Sequence, residues 1–172
     1  EDMAEAGLLE SLAILRNIQL DILLGQGRYD EIDPILADPP PDTPLQNGMR
    51  AVYAARLALG RGDRARAERL LAQALESGPP EVVHRALAVQ VLVRHAAGEH
   101  QAAREASERL DDVARHATPR ARLAAHLCAA AARRDRDRAE TALEIARADG
   151  LVFEEAQARL LLGLLGDAAQ LQ

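Results

Sequence analysis

Five histidines and one cysteine are the side chains of this sequence best suited to catalysis or metal binding. His84 and His95 lie three helical turns apart, about 16 Å along a helix, which is too far for one metal ion to bind both. His126 and Cys128 are two positions apart, so on a helix they point to different faces. The sequence contains no HExxH or GxSxG pattern. We therefore expect scattered histidines, a small buried hydrophobic role for Cys128, and no metal, no cofactor and no catalysis.

All 21 basic residues are arginine, so the chain has no lysine for a P-loop or a Schiff base. Seven arginines between Arg115 and Arg138 face only two acids, an excess that could meet an acidic partner or a phosphate backbone. They cluster at the two ends of one predicted helix, and few aromatic residues are present to stack on bases. With a net charge of −6 as well, we expect no direct nucleic-acid binding.

The cellular setting is predicted from cysteine usage and hydropathy. A lone cysteine forms no disulfide within the chain and fits a reducing cytoplasm. There is no signal peptide and no uninterrupted apolar run near the ~18 residues that a membrane span requires. We predict a cytoplasmic location without membrane association. Because the chain begins without Met and stops inside a helical pattern, we also expect it to be a piece of a longer protein.

The elements that must position these side chains are predicted to be helical, because Ala and Leu dominate and aromatic residues make up 2%. Similar short segments begin at Gly27, Gly62, Gly98, Arg134 and Gly166, in steps of 35, 36, 36 and 32 residues. Each segment follows one apolar helical pattern and precedes another. A period near 34 with a helix-turn-helix unit is typical of tetratricopeptide-type repeats.

The unit around residues 46–80 shows the local reasons for this pattern. Gly60 and Gly62 end a helix predicted over 46–59, because glycine adopts the left-handed conformation without steric cost. Asp63 is a good N-cap for the next helix, which presents one apolar face between residues 67 and 75. The Gly-Pro-Pro sequence at 78–80 ends that helix. The proline-rich stretch 38–44 is predicted to be an irregular loop within the same array.

The chain resembles the tetratricopeptide repeat family over almost its whole length. Ala55, Ala67 and Ala74 fall where the two helices of that family cross closely, Pro79 falls at its closing proline, and Arg134 replaces the turn glycine of the fourth unit. The resemblance implies an all-α, right-handed α-solenoid of about five TPR-like helical hairpins, with nine or ten helices in one repeat domain spanning 1–172. The predicted repeats are 5–38, 45–79, 80–117, 119–150 and a truncated 151–172.

The segment EIARADGLVFEEAQARLLLGLLGD at 144–167 resembles the repeats of large bacterial signal-transduction regulators. These are LuxR-type ATP-binding regulators with a maltose-regulator-like helical array, together with related antibiotic-regulator and kinase-linked proteins. In that family an ATPase or kinase module precedes the array and a DNA-binding module often flanks it; neither is visible in this sequence. The resemblance implies that the repeats receive an effector or hold the regulator's oligomeric or autoinhibited state. Self-association through the terminal helices is a further expectation.

The tetratricopeptide resemblance also implies a concave groove lined by the first helix of each repeat. Carried onto this sequence, the groove residues are Asn17, Asp21, Met49, Val52, Arg56, Leu59, Arg85, Leu92, His95 and Cys128. We predict that the groove binds a protein, a peptide or a small effector. In this interpretation Arg56 and Arg85 donate bidentate hydrogen bonds to a carboxylate or phosphate of that ligand. In the alternative interpretation these arginines pair with neighbouring acids and the Ala-rich floor is close helix packing. The pattern with which chaperone adaptors clamp a C-terminal carboxylate is not reproduced.

The predicted function is therefore non-enzymatic: an effector-sensing or protein-interaction repeat domain from a bacterial transcriptional regulator. The alternative is a general tetratricopeptide adaptor that binds a peptide segment of a partner protein. Flanking ATPase and helix-turn-helix segments in the full-length gene would favour the regulator, whereas an isolated array would favour the adaptor. The fold class does not identify the ligand, because one fold carries many functions.

Overall fold

A computed structural model describes residues 2–38 and 43–170, with side chains over 11–38 and 43–166. Every regular element in this part of the chain is a helix, which confirms the all-α prediction. Residues 39–42 of the predicted proline-rich loop lie outside the described residues. The finer prediction, a right-handed solenoid of tetratricopeptide hairpins, stays a prediction.

The chain divides into two compact units, Glu1–Ala86 and Leu87–Gln172. The first unit holds α1 (Asp2–Gly25), a 3₁₀ turn (Tyr29–Glu31), α2 (Ile32–Ala37), α3 (Pro44–Gly60), α4 (Arg64–Ser77) and the start of α5 (Pro80–Ala96). The second unit holds the rest of α5, then α6 (His100–Ala114), α7 (Pro119–Arg133), α8 (Arg136–Ala148) and α9 (Val152–Gln170). The predicted single repeat domain over 1–172 stays a prediction.

One turn recurs along the chain with the same backbone geometry. Gly27, Gly62, Gly98 and Arg134 have φ angles of 70°, 80°, 75° and 56°. After each of them, the next amide donates to the carbonyl five residues earlier, at 3.0, 2.8, 2.9 and 3.1 Å. This bond defines the Schellman motif that ends helices. The predicted segment start at Gly166 is different: α9 runs through it to Gln170, because Ala and Gln after it favour continued helix.

The position five residues after each of these turns lies in the core. Ile32, Ala67, Ala103 and Ala139 occupy it, and all four are 0% exposed. Three of them are alanines, whose small side chains let neighbouring helices approach closely. Within the first unit α3 packs on α4, and within the second unit α6 packs on α7, α7 on α8 and α8 on α9.

Polar side chains fix where several helices begin. The Asp63 and Asp135 side chains accept hydrogen bonds from the third amide beyond them at the starts of α4 and α8, as predicted for Asp63. Thr43 and Thr118 do the same for α3 and α7, each followed by a proline that needs no amide partner. These caps set the ends of the helices that carry the polar side chains described below.

Candidate functional site

Five polar residues meet in the first unit, and we call them the first-unit polar cluster: Asn17, Asp21, Tyr53, Arg56 and Arg85. The Tyr53 hydroxyl donates to Oδ2 of Asp21 at 3.0 Å and lies 3.1 Å from the carbonyl oxygen of Asn17. Arg56 Nη1 donates to Oδ1 of the same carboxylate. Arg85 Nη1 lies 4.0 Å from Oδ2. Both predicted arginines therefore converge on one carboxylate, and that carboxylate belongs to the chain itself.

This arrangement matches the alternative in which the arginines pair with a neighbouring acid. Their charge is directed at Asp21, so an external carboxylate or phosphate would have to compete with it. Burial raises the pKa of Tyr53, and the nearby Asp21 charge raises it further. The phenol thus stays protonated and acts as a hydrogen-bond donor. The cluster ties α1, α3 and α5 together within the first unit.

Tyr53 was not among the residues predicted from the sequence. The feature that could have indicated it is its position three residues before Arg56, which places both on the same side of a helix. In the structure the Arg56 guanidinium carbon lies 5.7 Å from the Tyr53 ring centroid, a cation–π contact. The contact helps to hold Arg56 against the buried ring.

The other predicted groove residues lie in three kinds of environment. Met49, Val52 and Cys128 belong to the core, with exposures of 4%, 3% and 6%. Leu59 is half-buried, and Leu92 is 54% exposed. A ligand could touch Leu92 directly, whereas contact with the three core residues would require the surrounding helices to move.

The Cys128 side chain is held as a protonated thiol, which is a poor nucleophile and metal ligand. Its thiol lies 3.7 Å from the carbonyl oxygen of Ala88. Burial raises its pKa to about 12, with a smaller contribution from the negative charge of Asp111. Because the thiolate is the nucleophile and the metal ligand, a thiol in this state is inert near neutral pH. The side chain acts as a small buried hydrophobe, as predicted.

The second unit contains a cavity of about 620 Å³, called here the second-unit cavity. The ends of α5 and α7, the start of α6 and the turn before α8 supply five basic residues to its wall: His95, His100, Arg104, Arg133 and Arg134. On α9, Leu161, Leu164 and Leu165 line it as well. His95, a predicted groove residue, contacts His100 with ring centroids 5.4 Å apart.

Two buried polar atoms at this cavity have unmet hydrogen-bonding capacity. Nδ1 of His95 and Nε of Arg133 have no hydrogen-bond partner among the described residues. The Nη2 atom of Arg133 donates to Ser107 Oγ at 3.3 Å and to Asp111 Oδ2 at 3.4 Å. Buried polar groups in native proteins are nearly always paired, so an unpaired donor beside a cavity indicates a place where a ligand or water would bind.

Asp111, which accepts from Arg133 of this wall, also anchors a network on α6, α7 and α8. Arg138 reaches both of its carboxylate oxygens, at 3.2 and 3.0 Å, and Arg138 Nη1 lies 3.2 Å from Nδ1 of His126. Burial lowers the pKa of His126, and the Arg138 charge lowers it further. The network joins α6, α7 and α8, so its role is structural.

Comparisons with protein-family models, with curated proteins and with solved structures find no match. Among the described residues, no three or more His, Cys, Asp and Glu side chains are grouped so that they could hold a metal ion. Within the same part of the chain, no helix has both the length and the apolar character to cross a bilayer.

The two polar sites differ in the charge that they offer to a ligand. In the first-unit polar cluster, Asp21 accepts from Arg56 and lies near Arg85. The wall of the second-unit cavity includes Arg104 and Arg134 but no acidic residue. The second-unit cavity is therefore the better candidate for binding a small molecule.

Proposed function

We propose that this chain is a non-enzymatic binding domain built from helical hairpin repeats, which receives an effector or a partner. One observation carries the proposal: at residues 27, 62, 98 and 134 the same left-handed turn, with the same hydrogen bond, is followed five residues later by a fully buried side chain. Tandem helical hairpins stack into extended surfaces, and repeat proteins use such surfaces for binding. In its finer form, the proposal is a right-handed solenoid of tetratricopeptide hairpins.

The chemistry of the buried side chains supports binding rather than catalysis. Cys128 and Tyr53 both have raised pKa values, so neither serves as a base or nucleophile near neutral pH. The Asp21 carboxylate already accepts hydrogen bonds from Tyr53 and Arg56. These three side chains are thus protonated or already hydrogen-bonded within the chain.

Within this function, we place the domain in a cytoplasmic bacterial transcriptional regulator, on the resemblance carried by residues 144–167. That segment includes the end of α8 and most of α9. Phe153 and Leu160 on α9 are 68% and 66% exposed. In a regulator, these apolar side chains would contact another part of the protein or a second copy.

The same exposed side chains on α9 favour a second candidate, an adaptor that binds a peptide of a partner protein. Val152 and Phe153 are 78% and 68% exposed at its start. Exposed apolar side chains grouped on one element often mark protein-binding surfaces. A choice between an effector and a peptide is therefore a question for experiment.

A thermal-melt screen of the whole chain against nucleotides, sugars, organic anions and short peptides tests the proposal. A ligand that binds only the folded state raises the melting temperature, by the equivalent of about 2.7 kcal/mol at 100 times its Kd. A shift with a small molecule that grows with the logarithm of its concentration supports the sensor, and such a shift with a peptide supports the adaptor. No shift with any compound, or turnover of a compound detected by mass spectrometry, contradicts the binding function.

A further inference from the structure

The polar wall of the second-unit cavity carries positive charge that the chain neutralises only in part, at Arg133 through Asp111. Arg104 and Arg134 have no ion-pair partner among the described residues, and both line the cavity. Two acids of the second unit pair with other arginines: Glu99 with Arg94 at 2.5 Å, and Asp111 with Arg138 at 3.0 Å and Arg133 at 3.4 Å. In a chain of net charge −6, this wall is a local site for an anion.

The apolar wall of the second-unit cavity comes from one side of α9. Leu161, Leu164 and Leu165 recur at the spacing that places residues on one helical face. Leu164 is 60% exposed, so it offers apolar surface that a ligand could cover. The volume of about 620 Å³ lies within the roughly 300–1,000 Å³ typical of small-molecule sites.

The backbone at Arg134 adds an independent indication. Arg134 has φ 56° and ψ 41° in a turn whose left-handed position is glycine at residues 27, 62, 98 and 150. A left-handed residue with a Cβ is strained, and strain of this kind concentrates at functional positions. Here the residue that bears the strain also places a guanidinium side chain in the cavity wall.

From these observations we infer that the second-unit cavity binds a small amphipathic anion, an organic molecule that joins a carboxylate or phosphate to a hydrocarbon portion. The charged group lies against Arg104, Arg134 and the histidines, and it satisfies the buried Nε of Arg133. The hydrocarbon portion covers Leu161, Leu164 and Leu165. The inference rests on the proposed binding function and names the chemical class of its ligand.

Isothermal titration calorimetry on the whole chain tests this, with octanoate and octyl phosphate as probes and with octanol and inorganic phosphate as comparisons. We expect saturable binding of at least one anionic probe, about tenfold tighter than either comparison compound, because each comparison lacks one half of the chemistry. Octanoate against octyl phosphate distinguishes a carboxylate ligand from a phosphate ligand.

Matched variants locate the binding. Arg104→Gln and Leu164→Gln should each weaken it about tenfold, through loss of a charge-assisted hydrogen bond and of apolar contact, respectively. Arg109→Gln on α6 and Leu160→Gln on α9 are the controls, because both side chains are exposed and neither lines the cavity. Melting curves of all four establish that they fold.

The inference is overturned if neither anion binds saturably, if octanol binds as tightly as the anions, or if the control substitutions weaken binding equally. The proposed function is tested separately by the thermal-melt screen. A neutral compound or a peptide that shifts the melting temperature equally in the parent and in Arg104→Gln, while neither anionic probe binds, would support a binding domain and overturn an anion site.

Discussion

At the residue scale, Arg134 combines a strained left-handed backbone with a side chain in the wall of the second-unit cavity. Gly27, Gly62 and Gly98 occupy the equivalent turn position with positive φ, which glycine adopts without strain. Arg134 adopts φ 56° although it has a Cβ atom. The stability of the chain is therefore below what a glycine there would give.

Arg134→Gly should stabilise the fold by about 1 kcal/mol, because it relieves the left-handed strain. For a chain of this size that corresponds to a rise in melting temperature of about 3 °C, measured by circular dichroism. Arg134→Ala is the control, since it removes the guanidinium but keeps the Cβ, and it should give no gain. An equal rise in both variants would show that the side chain, not the backbone, limits stability.

Cys128 gives a second prediction at this scale. Because burial raises its pKa to about 12 and leaves the residue 6% exposed, the native thiol should react with a disulfide reagent at pH 8 at least 100-fold more slowly than the denatured chain. The sequence has one cysteine, so the absorbance of the released thiolate reports this residue alone. Fast reaction under native conditions would mean that α7 opens readily.

At the element scale, close approach between helices explains why one helical glycine matters and another does not. A Cβ placed on Gly48 of α3 would lie 2.7 and 2.8 Å from the two methyl groups of Val82, which is fully buried at the start of α5. A Cβ placed on Gly163 of α9 would meet no atom within 4 Å. The same substitution should therefore have opposite effects at the two sites.

Gly48→Ala should destabilise the chain by about 1 kcal/mol, because overpacking costs about 1–3 kcal/mol and alanine's better helix propensity recovers only about 1. Gly163→Ala, the matched control, should stabilise it by up to about 1 kcal/mol. Urea denaturation midpoints measure both. A higher urea midpoint for Gly48→Ala would show that α3 and α5 are packed less tightly than the distances of 2.7 and 2.8 Å indicate.

At the scale of the whole molecule, two histidines link stability to pH, one in each unit. Burial lowers the pKa of His84 and of His126, so both stay neutral in the folded chain at a pH where the unfolded chain begins to bind protons. The unfolded state then holds more protons below the ordinary histidine pKa near 6.5. Stability must therefore fall as the pH falls through that range.

The melting temperature should decrease between pH 7.5 and 5.5, a range in which ordinary carboxylates remain ionised. His84→Gln and His126→Gln should each reduce the size of this decrease. His116→Gln, at an exposed position, is the control and should leave the decrease unchanged. A decrease of the same size in all three variants would rule out His84 and His126, both half-buried, as its cause.

The sequence alone determined the secondary structure and the recurrence of the turns. Ala and Leu content predicted an all-helical chain, and the short segments at Gly27, Gly62, Gly98 and Arg134 predicted turns that the structure contains. These features depend on local backbone preferences, which a short stretch of sequence carries within itself. Gly166 was the exception, because a single glycine is too weak to end a helix whose neighbours favour its continuation.

The composition of the polar sites was decided only by the tertiary structure. Arg56 and Arg85 were chosen as ligand-binding side chains, but Asp21 from α1 meets them, and Tyr53 joins the cluster without having been selected. The second-unit cavity brings His95 together with Arg104 and with leucines of α9 about 60 residues later in the chain. Such contacts depend on how helices pack across long sequence separations, and helical periodicity specifies a buried face but not the partner that covers it.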